Sequence, residues 1–155
     1  MKYARLSLHD LKDLEKEFVE FLVVNGIEAD EWENLKKEET EKVEKIIDQF
    51  SDVIWEGVLR KTEFVEHRSK NKLTICRVKN EELITLHIQS NDSNLDLTKH
   101  DDISTIIFTV KKDEVRVQKE AIKKESTAQL FELLQAGFYL AKDAKYEELI
   151  KEVGQ

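Results

Sequence analysis

The chain has no proline, a single cysteine, four scattered glycines and no long apolar run. Because proline and clustered glycine mark turns and linkers, their scarcity leaves no compositional sign of a domain boundary. A length of 155 residues fits one domain, and we expect a single α+β domain over residues 1–155. Cys76 alone excludes an internal disulfide. A membrane-spanning helix needs about 20 consecutive apolar residues, so we expect no membrane association.

Basic residues are also outnumbered by acidic ones. The chain carries 25 Lys and Arg against 33 Asp and Glu, a net charge of −8. The acidic excess lies in residues 1–61 and 125–155, whereas residues 62–124 are nearly balanced. Nucleic-acid affinity depends largely on clustered basic side chains, so nucleic acid is an unexpected partner. The first residues lack the apolar core of a signal peptide, and we therefore expect a cytoplasmic protein.

The apolar spacing predicts helices at both ends of the chain and an antiparallel sheet of about five strands between them. Residues 1–61 are predicted helical, 62–124 form the sheet of two hairpin units, and 125–155 are helical and pack on one face. The predicted helices begin at Ser7 (ending at Asn25-Gly26), Asp30, Thr40, Ser126 (with Phe138 on its apolar side) and about Asp143. The predicted strands are Phe64–Ser69, Leu73–Val78, Leu83–Gln89, Ile103–Val110 and Val115–Ala121, the last two forming the second hairpin.

The predicted helix from Thr40 to Lys61 carries an unusual row of carboxylates. Asp48, Asp52 and Glu56 recur every fourth residue, so they lie along one edge of the helix. Like charges at this spacing destabilise an isolated helix by roughly 0.2–0.5 kcal/mol per pair. We therefore expect a basic residue, another chain or a cation to compensate them, and these three residues are the predicted binding site.

The same region offers a second interpretation as a metal site. Carboxylates one turn apart can share a divalent cation, and a histidine on a neighbouring strand can supply a nitrogen ligand. Asp52, Glu56 and His67 are the candidate ligands. No histidine pair or Glu-x-x-His motif accompanies them, so a solvated acidic edge with an ion pair is the preferred interpretation.

Two other features carry no predicted chemistry. Cys76 lies within a strand with no base placed beside it by any motif, so we expect a buried small hydrophobe rather than a nucleophile. The segment from Asn91 to Asp102 places Asp92, Asn94 and Asp96 at the alternating positions of a calcium loop. It lacks the glycine and the glutamate that such a loop needs, which favours ordinary Asx turns.

Four segments resemble a family of short uncharacterised proteins from Bacteroidota, described as a domain of unknown function. They are KYARL, EFVEFLVVNGIEADEW, FSDVIWEGVL and FVEHRSKN, and the resemblance extends over about the first half of the chain. The resemblance implies a bacterial cytoplasmic protein. It implies no activity, cofactor or site residue.

Two functional hypotheses follow from these features. The first is a non-enzymatic interaction module that engages a protein partner through the acidic helix edge, a sheet edge or both. The alternative is a metal-dependent hydrolase with an Asp/Glu/His site. No cofactor is expected under the first hypothesis. Because an antiparallel sheet has edges that can pair with a copy of themselves, a homodimer is compatible with either hypothesis.

Overall fold

The computed structural model of the chain describes residues 1–99, 115–141 and 145–153. Helices and a five-stranded antiparallel sheet make it an α+β protein, as predicted. The chain divides into two compact units, residues 1–58 and residues 59–155, which are described separately below. A single domain over the whole chain stays a prediction. Within the described ranges, no helix combines the length and the apolar character that crossing a membrane requires.

The first unit is helical. Its helices are α1 (Leu8–Asp13), α2 (Glu15–Val24), α3 (Ala29–Glu38) and α4 (Thr40–Arg60), the last of which continues two residues beyond the unit. The predicted cap at Ser7 is confirmed, since its hydroxyl accepts the backbone N–H of Asp10 at 3.1 Å. The predicted first helix is interrupted once, at Leu14, where φ is −101° and ψ is 21°.

The predicted end of this helix at Asn25-Gly26 is also confirmed, and it is the end of α2. Gly26 has a φ of +75°, a left-handed conformation that glycine adopts without steric cost. The N–H of Ile27 bonds to the carbonyl of Leu22 at 2.9 Å, and that of Gly26 bonds to Val23 at 3.0 Å. These two bonds form a Schellman motif, which satisfies carbonyls that the helix end would leave unpaired.

Aromatic rings form the centre of the first unit. Phe50 of α4 is 1% exposed. Its ring lies 5.0 Å from the ring of Phe18 and 5.5 Å from that of Phe21, both on α2. Trp32 of α3 meets Phe18 edge to face at 5.2 Å. Tilted and edge-to-face geometries suit aromatic pairs, so this cluster holds three helices around one buried ring.

The second unit contains the sheet and two further helices. The strands are β1 (Phe64–Arg68), β2 (Lys72–Lys79), β3 (Glu82–Gln89), β4 (Val115–Ala121) and β5 (Tyr139–Leu140), and the helices are α5 (Ser126–Gln135) and α6 (Lys145–Val153). All pairings are antiparallel, in the order β4-β3-β2-β1-β5. The predicted turn between β2 and β3 is confirmed, with positive φ at Asn80 (54°) and Glu81 (63°), as a primed two-residue hairpin turn requires.

The C-terminal third differs from the prediction in one way, and one predicted pairing there stays a prediction. The strand β4 pairs with β3, and the predicted partner strand Ile103–Val110 lies outside the described residues. The helix from Ser126 ends at Gln135, so Phe138 is not helical, and Tyr139–Leu140 pairs with β1 instead. A second Schellman motif explains this early end, because Gly137 has a φ of +107° and the N–H of Phe138 bonds to the carbonyl of Leu133 at 3.1 Å.

The sheet has one continuous apolar face. Leu73, Ile75, Ile84, Leu86 and Ile88 belong to a buried cluster that includes Tyr146, Leu149 and Ile150 of α6. The opposite face is apolar at one end of the strands and polar at the other. Near the β2–β3 turn it presents the buried Cys76, Val78 and Leu83, and at the other end it presents Lys72, Thr74, His87 and Gln89. The helix α5 packs against β1 and β2.

Candidate functional site

The acidic edge of α4 binds the first residues of the same chain. The predicted residues Asp48, Asp52 and Glu56 lie on this edge, and all three accept hydrogen bonds from residues 2–5. Glu44, one turn earlier, extends the row to four carboxylates and also contacts this segment. Since Glu56 meets Lys2 and Glu44 meets Arg5, the segment runs antiparallel to α4.

Main-chain groups of residues 2–6 make several of these contacts. The two carboxylate oxygens of Asp52 accept the backbone N–H groups of Lys2 at 2.7 Å and Tyr3 at 2.8 Å. The Ser51 hydroxyl accepts the N–H of Leu6 at 3.1 Å and donates to the carbonyl of Ile47 at 2.8 Å. The indole N–H of Trp55 donates to the carbonyl of Ala4 at 3.0 Å. Any segment with a free backbone could make these bonds, so they provide affinity without selecting a sequence.

Side chains add selectivity for basic and hydroxyl groups. The Arg5 guanidinium donates from Nε to Asp48 at 2.8 Å and from a terminal nitrogen to Glu44. Glu56 accepts the Tyr3 hydroxyl and the Lys2 ammonium, the latter at 3.3 Å. The preferred interpretation of the edge, acidic side chains answered by an ion pair, matches these contacts.

The ion pairs of this site lie close to water, whereas Tyr3 is 9% exposed and Ser51 is fully buried. Arg5 is 39% exposed and Asp48 31%, and the hydrogen bonds to Asp48 and then Glu44 raise the pKa of the guanidinium. Exposed ion pairs of this kind each contribute about 0–1 kcal/mol and are screened by salt. The segment is therefore held by several weak bonds, an arrangement that suits reversible binding.

Part of this site escaped the sequence argument. Glu44 continues the four-residue spacing and could have been included on that ground alone. The compensating cations, Lys2 and Arg5, lie some fifty and forty residues away in sequence, and no local pattern pairs them with α4. The sequence signal for these partners was that two basic residues, Lys2 and Arg5, lie close together near the start of the sequence.

The candidate metal ligands divide between the two units. Asp52 and Glu56 belong to the first unit, where their carboxylates accept the hydrogen bonds described above. His67 belongs to the second unit, where its ring lies 5.9 Å from that of Phe138 and 6.5 Å from that of Tyr139. Among the residues the structure describes, no group of three or more His, Cys, Asp or Glu side chains is arranged to hold a metal ion.

Two of the remaining sequence interpretations are confirmed. Cys76 is 2% exposed, and burial raises the pKa of its thiol, as expected of a structural cysteine. Asx turns occupy the loop after β3, where Asp92 accepts the N–H of Asn94 at 2.9 Å and Asp96 accepts that of Thr98 at 3.0 Å.

The second unit contains a buried polar cluster that the sequence did not indicate. Glu66 of β1 is 3% exposed, accepts the hydroxyl of Tyr146 on α6, and pairs with Arg68 at 2.6 Å. Burial, and then the bond to Glu66, raise the pKa of the Tyr146 phenol well above its ordinary value. Arg77 meets Glu147 of α6 at 3.5 Å. These bonds attach α6 to the apolar face of the sheet.

Comparison with known proteins gives one match. The model of a family described as a family of unknown function (DUF6495) matches residues 1–154. The match covers nearly the whole chain, which corrects the estimate from sequence segments that the likeness covers about half. No curated protein and no solved structure matches.

Proposed function

Because the chain belongs to the DUF6495 family, a family of unknown function, its role has to be inferred from its own residues, and we propose that it is a non-enzymatic protein-interaction module. Its binding surface in this proposal is the acidic edge of α4, formed by Glu44, Asp48, Asp52 and Glu56. The partner is a protein that presents an extended basic segment. The observation that supports the proposal is the binding of residues 2–6 along this edge.

Residues 2–6 act as a resident ligand in this proposal. The edge already accepts two successive backbone N–H groups, donates to one backbone carbonyl and pairs with two cations. A partner segment would displace residues 2–6 and reproduce these bonds. A tethered segment competes at an effective concentration on the order of millimolar, so a partner must bind more tightly than residues 2–6 do.

Two related assemblies belong to the same proposal. Exchange of residues 2–6 between two copies would give a homodimer without any new type of contact. Strand addition would use an edge of the sheet, where β4 and β5 are the outer strands of the described residues. We further propose a location in the cytoplasm of a bacterium, supported by the single cysteine and by the resemblance of the four segments.

The test is recovery of partners from native lysate, read by mass spectrometry. Wild type is compared with the Asp52→Lys, Glu56→Lys variant, and a peptide of residues 1–7 is added as competitor. We expect a partner that wild type recovers, that the variant loses and that the peptide displaces. Light scattering of the purified proteins separates a homodimer from a foreign partner.

A matched control changes the same charge elsewhere in the first unit. Glu17 and Glu20 of α2 are exposed, so Glu17→Lys, Glu20→Lys alters net charge equally while leaving the edge of α4 intact. Circular dichroism confirms that all three proteins are folded. Equal recovery by the α4 variant and wild type would contradict the proposal, as would equal loss in the α2 control.

The metal-dependent hydrolase stays a prediction that no specific contact favours. A cation between Asp52 and Glu56 would have to displace the backbone N–H groups of Lys2 and Tyr3 and the Tyr3 hydroxyl. A rise in melting temperature with added divalent ions would support that alternative. The same rise is not expected if the edge binds residues 2–6.

A further inference from the structure

Three strands of the second unit gather donor side chains on one face of the sheet. The pairing sets Thr74 opposite His87 and His87 opposite Arg116, so one row crosses β2, β3 and β4. Lys72 and Gln89 form the next row toward the strand ends. Directly opposite side chains in an antiparallel sheet have Cβ atoms about 5 Å apart, so the row presents a hydroxyl, an imidazole and a guanidinium side by side.

This end of the face is hollow. A cavity of about 660 Å³ at the strand ends is lined by polar side chains of this face and by two apolar residues, and these are Lys72, Thr74, His87, Gln89, Asn91, Arg116, Ile88 and Val115. No Asp or Glu occurs among the described residues that line it, although the chain as a whole carries a net charge of −8. His87 is held in place by Gln118, with Nε2 and Oε1 3.2 Å apart. The described lining residues therefore carry cationic and no anionic side chains.

We propose that this cavity binds a phosphorylated small molecule with a hydroxyl-rich body, of the sugar phosphate class. Arg116 supplies paired donors that match two phosphate oxygens, and Lys72 supplies a point charge. Thr74 donates its hydroxyl to a remaining oxygen, and His87, whose Nε2 already contacts Gln118, lies beside it in the same row. A carboxylate offers two oxygens on a single plane, whereas the three free oxygens of a phosphate can use donors from β2 and β4 at once.

The volume of the cavity and its lining residues indicate which chemical group is attached to the phosphate. Small-molecule sites measure about 300–1,000 Å³, so the cavity exceeds what a phosphate group alone would fill. Gln89 and Asn91 bring amides that donate to and accept from hydroxyl groups. No aromatic ring lies among the described lining residues, so a stacked nucleobase has no platform there. A polyol body fits these groups better than a nucleoside.

The test is isothermal titration of the full chain with ribose 5-phosphate, inorganic phosphate and ribose at constant ionic strength. We expect ribose 5-phosphate to bind more tightly than inorganic phosphate, and ribose not to bind. Arg116→Gln and Lys72→Gln should each weaken binding roughly ten- to a hundredfold, the usual range for a lost hydrogen bond to a charged group. Amide shifts on β2, β3 and β4 in two-dimensional NMR should locate the ligand.

Lys119 provides the matched control. It lies on β4 like Arg116 and is exposed, but its pairing with Ile84 places it on the opposite face. Lys119→Gln removes the same charge and should leave affinity unchanged. Absence of ribose 5-phosphate binding at roughly millimolar ligand would overturn the proposal. Equal weakening by Lys119→Gln, or binding of ribose as tight as that of its phosphate, would overturn it as well.

Discussion

Each of the two units uses a tyrosine hydroxyl to attach a terminal segment to a glutamate. In the first unit Tyr3 donates to Glu56, and in the second Tyr146 donates to Glu66. The bond is the same, but its surroundings differ. Tyr3 is 9% exposed, but its acceptor Glu56 has a side chain that is 24% exposed and shares its oxygen with a lysine that is 50% exposed. Tyr146 is fully buried and its acceptor Glu66 is 3% exposed.

This difference in burial separates a reversible contact from a structural one. An exposed hydrogen-bonded ion pair can be replaced by water or by another segment at small cost. A buried carboxylate that loses its partners keeps its desolvation penalty. Residues 2–6 are therefore suited to exchange with a partner, and α6 is suited to permanent attachment to the sheet.

The largest expected effect on stability comes from breaking the buried contacts of Glu66. Glu66→Ala leaves the Arg68 guanidinium, 19% exposed, without its carboxylate and should lower the free energy of unfolding by about 3–5 kcal/mol. Glu56→Ala should lower it by at most about 1 kcal/mol. Urea denaturation followed by circular dichroism measures both. Equal losses for the two variants would remove the distinction between the units.

A second prediction concerns alkaline pH. The pKa of Tyr146 is raised in the folded state, so above pH 10 the unfolded state has released a proton that the native state retains. The unfolded state then binds fewer protons, and stability falls as pH rises, by at most about 1.4 kcal/mol per pH unit from this group. Below pH 10 both states are protonated and the contribution is complete.

The pair Tyr146→Phe and Tyr3→Phe isolates this effect. Tyr146→Phe should cost about 1–3 kcal/mol near neutral pH and flatten the alkaline loss relative to wild type. Tyr3→Phe removes a hydroxyl that donates to a carboxylate of the first unit, and it is measured beside Tyr146→Phe. Urea midpoints between pH 8 and 11 give the comparison. A wild-type slope in Tyr146→Phe would show that another group carries the alkaline dependence.

The smallest expected effect on stability comes from removing the exposed ion pairs of Lys2 and Arg5. Lys2→Ala, Arg5→Ala should lower the free energy of unfolding by less than either preceding variant of the second unit, because each pair is weak and near water. The main effect of this double variant should be confined to residues 2–6. Hydrogen exchange at the backbone N–H groups of residues 2, 3 and 6 should accelerate, and molar salt should accelerate the same amides in wild type. Unchanged exchange at these amides would contradict a bound segment.

Local chemistry made the helical part of the fold predictable from sequence. The Ser7 cap and Gly26 marked their helix termini correctly, and the carboxylate row on α4 indicated the side chains that accept hydrogen bonds from residues 2–5. Gly137 carries the same Schellman signal as Gly26, but the apolar Phe138 after it suggested that the helix continued. The strand β5 is only two residues long, too short for any alternation to indicate it.

The contacts on which the two proposals rest could not be predicted from sequence, for a different reason. The partners of Asp52 and Glu56 lie about fifty residues away, and the pairing of His87 with Arg116 joins two segments that no turn motif connects. Such contacts depend on which surfaces meet after folding. A pattern with a period of two or four residues predicts which side chains share a face, and says nothing about what that face meets.

The most direct test of the central claim is fluorescence anisotropy of a labelled peptide of residues 1–7 titrated with three forms of the chain. The first is wild type, the second carries Lys2→Ala, Arg5→Ala, and the third adds Asp52→Lys, Glu56→Lys to the second. If the edge of α4 is a binding surface occupied by residues 2–6, weakening the resident segment should raise peptide affinity roughly tenfold over wild type. Reversing the charge of the edge should then abolish it. Equal affinity in all three forms, or no binding to the second, would contradict the account.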